Sequence, residues 1–182
     1  MVKGKEMAFF SFGEEIEGIA YKTVDEHIMR GSANILLLLS LLAFTNGFMM
    51  RNFEALPFIT GFIMLNFFIG VFINSKFAPT VVLAKFFNKK ESLPIGAVQK
   101  HFAWSLGLIL STVTFTLTLF LLNDIRFFEP LCALCILCTT LLYFEVVFNL
   151  CIGCKIYQSA LSRNLIKQPS VKPRCTGDSC EV

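Results

Sequence analysis

Apolar residues gather into four long runs, at positions 35–50, 56–73, 102–122 and 131–152. Each comes close to the ~20 residues that carry a helix across ~30 Å of hydrocarbon. Backbone amides in lipid have no water to bond, so the runs are expected to be helical. Pro57 and Pro130 stand where the second and fourth helices begin, a place where proline costs no hydrogen bond. Thr23-Val24-Asp25-Glu26 has a capping-box pattern, which extends the first helix back to about Val24. That helix is expected to end near Asn46, with Gly47 as its stop. Ala78-Pro79 breaks the chain after the second run, and residues 80–87 read as a short amphipathic piece on the membrane surface.

The ends of the chain differ from the runs. The apolar string MAFFSF is too short for a signal peptide and is followed by Glu14, Glu15 and Glu17. Ile16, Ile19 and Ala20 then recur at helical spacing opposite those acids, the pattern of an interfacial helix. Residues 162–182 are polar, contain two prolines, and suit a flexible tail. The expected division is an interfacial segment at 1–22, a four-helix transmembrane domain at 23–158 and a tail at 159–182.

Composition agrees with this pattern. The 182 residues are 55% hydrophobic and 16% charged, with a mean hydropathy of +0.67. Soluble domains carry about 25% charged residues. The fold class is therefore all-α, a polytopic membrane protein with four spans. Of the 16 Lys and Arg residues, all but Arg51 and Arg126 fall in the N-terminal segment, the loop between spans two and three, or the tail. Positive-inside bias then predicts that both termini and the middle loop are cytoplasmic. The net charge of +3 follows from that bias and gives no reason to expect nucleic-acid binding.

Five of seven cysteines lie in the last apolar run, LCALCILCTTLLYFEVVFNLCIGC. If that run is one helix, Cys132, Cys135 and Cys138 form a ridge near its outer end, and Cys151 and Cys154 lie at its cytoplasmic end. The two groups would be about 20 Å apart along the axis, too far for sulfur exchange between them. The outer three are as compatible with small buried hydrophobes as with an external redox pair, or with a soft-metal site such as Cu(I). The inner CxxC reaches the membrane boundary, where thiols meet water. With Cys175 and Cys180 in the tail it has the spacing of a four-thiolate Zn site, one alternative to redox use.

Glu145 stands inside the same run. A carboxylate at that depth is costly unless it is protonated or paired, so it is expected to face the bundle. Candidate partners at the same end are Arg30, His27, Lys100 and His101, with Asn34, Asn66 and Asn149 as hydrogen-bonding groups.

Several strings together carry a resemblance: VDEHIMR at 24–30, FAP at 77–79, KHFAWSLG at 100–107, and the spacing Glu145–x5–Cys151–x–Gly153–Cys154–x2–Tyr157. They resemble the bacterial membrane-protein family catalogued as domain of unknown function 4395, over about residues 22–158. The resemblance implies a four-helix domain in a bacterial inner membrane. It marks Glu145, Cys151, Gly153, Cys154 and Tyr157 as site residues, with Asp25 and Arg30 beside them. His101 and Trp104 stand where the family pattern has Arg and Gln, which puts any ligand of those two groups in question here. Association of members with thioredoxin-like or rhodanese-like domains implies thiol or sulfur handling.

The function expected from these readings is thiol/disulfide or persulfide handling at Cys151 and Cys154, with Glu145 tuning their protonation. Gly153 would allow a close approach, and Asp25, Arg30, His101 and Tyr157 would line a binding region. A soluble thioredoxin-like or rhodanese-like protein is the expected partner. The alternative is a structural or assembly subunit of a larger membrane complex or homo-oligomer, without chemistry.

Overall fold

The computed structural model describes residues 12–13, 22–87 and 94–163. The predicted interfacial helix falls almost wholly outside these residues. So do residues 164–182, with Cys175 and Cys180.

Four segments are long and apolar enough to cross a membrane: Glu26–Met49, Leu56–Ile73, Ala97–Leu121 and Ile125–Val147. The first is helix α1, Glu26–Phe44, extended by a wider π turn over Thr45–Met49. Its cap is Asp25 rather than Thr23: the Asp25 carboxylate accepts from the backbone N–H of His27 at 2.9 Å and of Ile28 at 3.4 Å. Thr23 is instead part of a strand. β1, Thr23–Asp25, pairs antiparallel with β2, Pro94–Gly96, so the all-α expectation misses a short two-stranded clasp. Gly47 does not stop α1. Thr45 and Asn46 bond back to the carbonyls of Leu41 and Leu42, which carries the helix past it.

Helix α2, Leu56–Phe68, begins with a proline in its first turn and also ends in a π turn, Ile69–Ile73. The amphipathic piece is α3, Pro79–Phe87. It buries Thr80, Val81 and Ala84 and exposes Phe86 and Phe87. Helix α4 spans Ala97–Leu121 and α5 spans Phe128–Val147.

The last apolar run is broken, against expectation. Asn149 adopts φ +56°, and the N–H groups of Phe148 and Leu150 both return to the Phe144 carbonyl. Asparagine tolerates this left-handed conformation better than most residues. The chain turns there and restarts as α6, Ile152–Ser162, with Cys151 as its N-cap. Cys151 and Cys154 therefore belong to a separate short helix, not to the foot of α5.

Helices α1, α2, α4 and α5 form a ring of antiparallel neighbours, α2 packing mainly on α4 and α5 on α1. The buried side of α1 is Glu26, Met29, Ala33, Leu36, Ser40 and Ala43, alternating steps of three and four. Helix α4 repeats the rhythm with Ala97, Lys100, Trp104, Ser111, Thr114, Thr118 and Leu121. Many of these residues are small, which lets backbones approach in a setting where lipid competes for larger side chains. Many of the larger apolar side chains point outward; Phe58 is 80% exposed and Leu38 is 67% exposed. Between α1, α2 and α3, the Asn66 side-chain oxygen accepts from the N–H and the hydroxyl of Thr80, at 3.0 and 2.9 Å. The Thr80 proton is thereby used, so Ser32 donates to Thr80 across 2.6 Å.

Trp104 fixes one end of the ring. Its ring lies edge-on to Phe67 at 5.5 Å and covers Gly70, where any Cβ would overlap it. Gly70→Leu is expected to lower stability by about 1–3 kcal/mol through overpacking. Phe58→Leu, on the exposed face, is expected to leave it unchanged. Thermal unfolding of the two variants in detergent checks this.

Candidate functional site

The site is assembled where α1 begins and α5 ends. The β1–β2 clasp ties the chain just before α1 to the chain just before α4, and the Ala97 N–H adds a bond to the Lys22 carbonyl at 2.9 Å. Three residues later Lys100 points into the ring, 3% exposed. Its ammonium forms an ion pair and hydrogen bond with Glu145 on α5. Of the candidate partners named from the sequence, Lys100 is the one that Glu145 takes. Arg30 instead donates to the Val146 carbonyl at 3.2 Å, so it caps the end of α5 beside the pair.

Helix α6 is pressed onto α4 at this level. A Cβ at Gly153 would lie 2.7 Å from the Ala103 Cβ and 2.8 Å from its Cα. The glycine is thus needed for backbone approach between α4 and α6 rather than for approach of a sulfur. Tyr157, one turn on, is buried with its ring 5.5 Å from Phe102. This contact seats the start of α6 against Lys100.

Cys151 and Cys154, at the N-cap and in the first turn of α6, are consequently 6% and 9% exposed. The expectation that they meet water at the boundary is not met: the Gly153–Ala103 contact closes that side. The Cys154 thiol hydrogen-bonds to the Cys151 sulfur. That bond draws the Cys151 thiol below its ordinary value, and the Lys100 charge acts the same way, against the opposing effects of burial and of the Glu145 carboxylate. Cys154 is pushed up, first by its bond to Cys151 and then by burial. The helix N-terminus adds a partial positive charge at Cys151. The pair is therefore asymmetric, one sulfur disposed to be thiolate and the other to keep its proton.

Both Glu145 and Cys151 border a cavity of about 370 Å³ inside the ring. It extends past Met29, Ala33 and Leu36 to Ser40, Ala43, Thr114 and Thr139. Cys135 and Cys138 border it as well, whereas Cys132 does not. The two cysteine groups expected to be separate sites along one helix thus share one internal space. The sequence pattern contained no sign of this, because it depends on how α5 and α6 are placed around the ring.

The remaining predicted site residues have structural contacts. Asp25 caps α1. His101 lies 5.0 Å from the ring of Phe12, which also contacts Trp104 at 5.9 Å. None of Asp25, Arg30 and His101 borders the cavity. Among the described residues no group of three His, Cys, Asp or Glu side chains is arranged to hold a metal ion, including at Cys132, Cys135 and Cys138. The Zn set that would join Cys151 and Cys154 to Cys175 and Cys180 has its second pair outside the described residues.

Two outcomes follow from the ion pair. Glu145→Gln leaves the buried Lys100 ammonium without its partner and is expected to cost about 3 kcal/mol, whereas Lys100→Met leaves a carboxylate that is 24% exposed and should cost less. The double replacement Lys100→Met/Glu145→Leu should regain much of that loss; unfolding in detergent measures both. Loss of the Lys100 cation should also raise the Cys151 thiol toward or above the ordinary ~8.5. Less thiolate is then present at pH 7, and alkylation of Cys151 should slow roughly tenfold for every pH unit by which its titration moves upward. The difference should vanish at a pH above both titration ranges. Mass spectrometry of iodoacetamide-treated protein over a pH series reads this.

Among families of known sequence pattern, one described as Domain of unknown function (DUF4395) matches residues 24–161. No curated protein and no solved structure matches the chain. The match takes in all four apolar segments, the clasp from Val24 onward, and the Lys100, Glu145, Cys151 and Cys154 cluster. The chain belongs to the DUF4395 family.

Proposed function

We propose that this protein is a four-span bacterial inner-membrane protein that handles thiol/disulfide or persulfide sulfur at Cys151 and Cys154. One observation carries the reading: two hydrogen-bonded thiols stand beside a buried Lys100–Glu145 ion pair, on the wall of a cavity. A thiolate is the reactive form of cysteine, and a neighbouring cation and a helix N-terminus both favour it. An ion pair at this depth is costly to assemble and supplies little stability by itself. Its position next to the thiols gives it a use: Lys100 favours the Cys151 thiolate more than Glu145 opposes it, and the ammonium is not left unpaired.

In this reading the thiol end of the ring, both termini and the 74–96 loop are cytoplasmic, which the clustering of basic residues on that side supports. Cys151, facing the cavity, is the attacking sulfur, and Cys154 behind it resolves the product. Exchange with a thioredoxin-like or rhodanese-like partner requires the start of α6 to lift from Ala103, because neither sulfur is open to a folded protein as the helices stand. The turn at Asn149 is the point about which α6 would move.

A second reading rests on a different observation. Only 6% of the residues in the apolar 18-residue stretch within Ile125–Val147 are buried, against 28–33% in the other three segments. A face that open suits either lipid or a neighbouring subunit, and the protein would then be a structural or assembly component of a larger complex.

Cys154→Ser is expected to trap a mixed disulfide or persulfide at Cys151, visible by mass spectrometry after isolation under acid quench. Cys151→Ser should trap nothing. If both variants and the unaltered protein carry no adduct and copurify with a stoichiometric larger subunit, the scaffold reading replaces the thiol one.

A further inference from the structure

The buried position of the thiols limits what can reach them. Cys151 meets the interior cavity, and Cys154 lies behind it. The cavity holds about 370 Å³, more than tenfold the ~30 Å³ share of a water molecule, and within the ~300–1,000 Å³ range of sites for organic ligands. It is thus larger than sulfide or dioxygen requires.

Its walls also select for charge. Thr60, Ser111 and Thr114 donate their hydroxyl protons to the carbonyls of Leu56, Leu108 and Leu110 on their own helices. These hydroxyls offer acceptors and no free donor. The one buried ammonium at this level among the described residues, that of Lys100, is taken by Glu145. An anionic sulfur donor meets only the partial positive charge at the start of α6, and along the remaining, mostly apolar walls it would be desolvated at high cost. The matching ligand is neutral and largely apolar, with a polar edge at the Glu145 and Cys151 end. Helix α5, which lines the cavity with Cys135, Cys138 and Leu142, is itself sparsely buried, so in this reading a single helix separates the cavity from lipid on that side.

A vicinal dithiol gives up two electrons only to an oxidant, and a quinone is a neutral, largely apolar molecule that accepts two. We propose that the cavity binds a lipid-soluble quinone, which Cys151 and Cys154 reduce to the quinol while becoming a disulfide. This rests on the thiol reading above. The Cys151 thiolate bonds to the quinone ring. The Cys154 sulfur then attacks the Cys151 sulfur, so the S–S bond forms and the sulfur–ring bond breaks with its electron pair left on the ring. The ring takes two protons. One comes from the Cys154 thiol, and the other comes from solvent, replacing the proton Cys151 had already released. Two electrons leave sulfur and two arrive on the quinone.

The test uses the full chain in lipid nanodiscs, reduced, freed of reductant and kept anaerobic. A fully substituted, short-tailed benzoquinone serves as probe, since it cannot form stable ring adducts with thiols. The expected result is one quinol per protein, read by absorbance, with loss of the Cys151 and Cys154 thiols mapped by mass spectrometry. Cys151→Ser should abolish the reaction. Filling the cavity by Leu142→Trp or Ala33→Leu should slow it roughly tenfold relative to oxidation by the small neutral disulfide of mercaptoethanol. Each filled variant counts only if its unfolding midpoint shows it folded, and two are used for that reason. If the disulfide reagent oxidises the pair and the quinone does not, the quinone site is refuted and the thiol reading stands. If neither reagent does, both fall. Oxidation mapped to Cys135 and Cys138 instead, or equal rates in folded filled variants, also overturns the proposal.

Discussion

A lysine ammonium and a glutamate carboxylate facing each other inside an apolar ring are the constraint around which this protein is arranged. Neither group is tolerable there alone, and each fixes the helix that carries it: Lys100 sets the rotation of α4, and Glu145 that of α5. The β1–β2 clasp, the Arg30 bond to Val146 and the Gly153–Ala103 contact all lie within a turn or two of this pair. The chain concentrates its specific interactions at one end. The rest of the ring relies on small residues, on one hydroxyl bond from Thr139 to Ser40, and on an apolar cluster of Leu56, Leu121 and Leu131 at the far end.

The spans were legible because the bilayer sets their length and composition; each of the four runs overlaps one helical segment, the fourth only as far as Val147. Their ends were less so. Thr23 reads as a cap until it is seen paired with Gly96, a contact across more than seventy residues that no local pattern encodes. The break before α6 was hidden for another reason: Phe148, Asn149 and Leu150 sit in an apolar setting where hydropathy does not change. The left-handed Asn149 was the one available cue, and a single asparagine is a weak one.

The candidate site was partly readable for the same physical reasons. A charged residue in a long apolar run demands a partner, so Glu145 could be singled out, and Lys100 was among its few reachable cations. The i, i+3 spacing paired Cys151 with Cys154. What the spacing could not convey was enclosure. The shared space that brings Cys135, Cys138 and Cys151 together exists because the inward residues of α1 and α4 are small. In a background of leucine and phenylalanine, that rhythm of Ser, Ala, Gly and Thr is visible only once one knows which side of each helix faces in.

The hydroxyls along that space have a further consequence. Most hold their protons on carbonyls of their own helices, and Thr139 gives its own to Ser40. A guest in that space therefore meets oxygen lone pairs and hydrocarbon, a lining closer to an ether than to water.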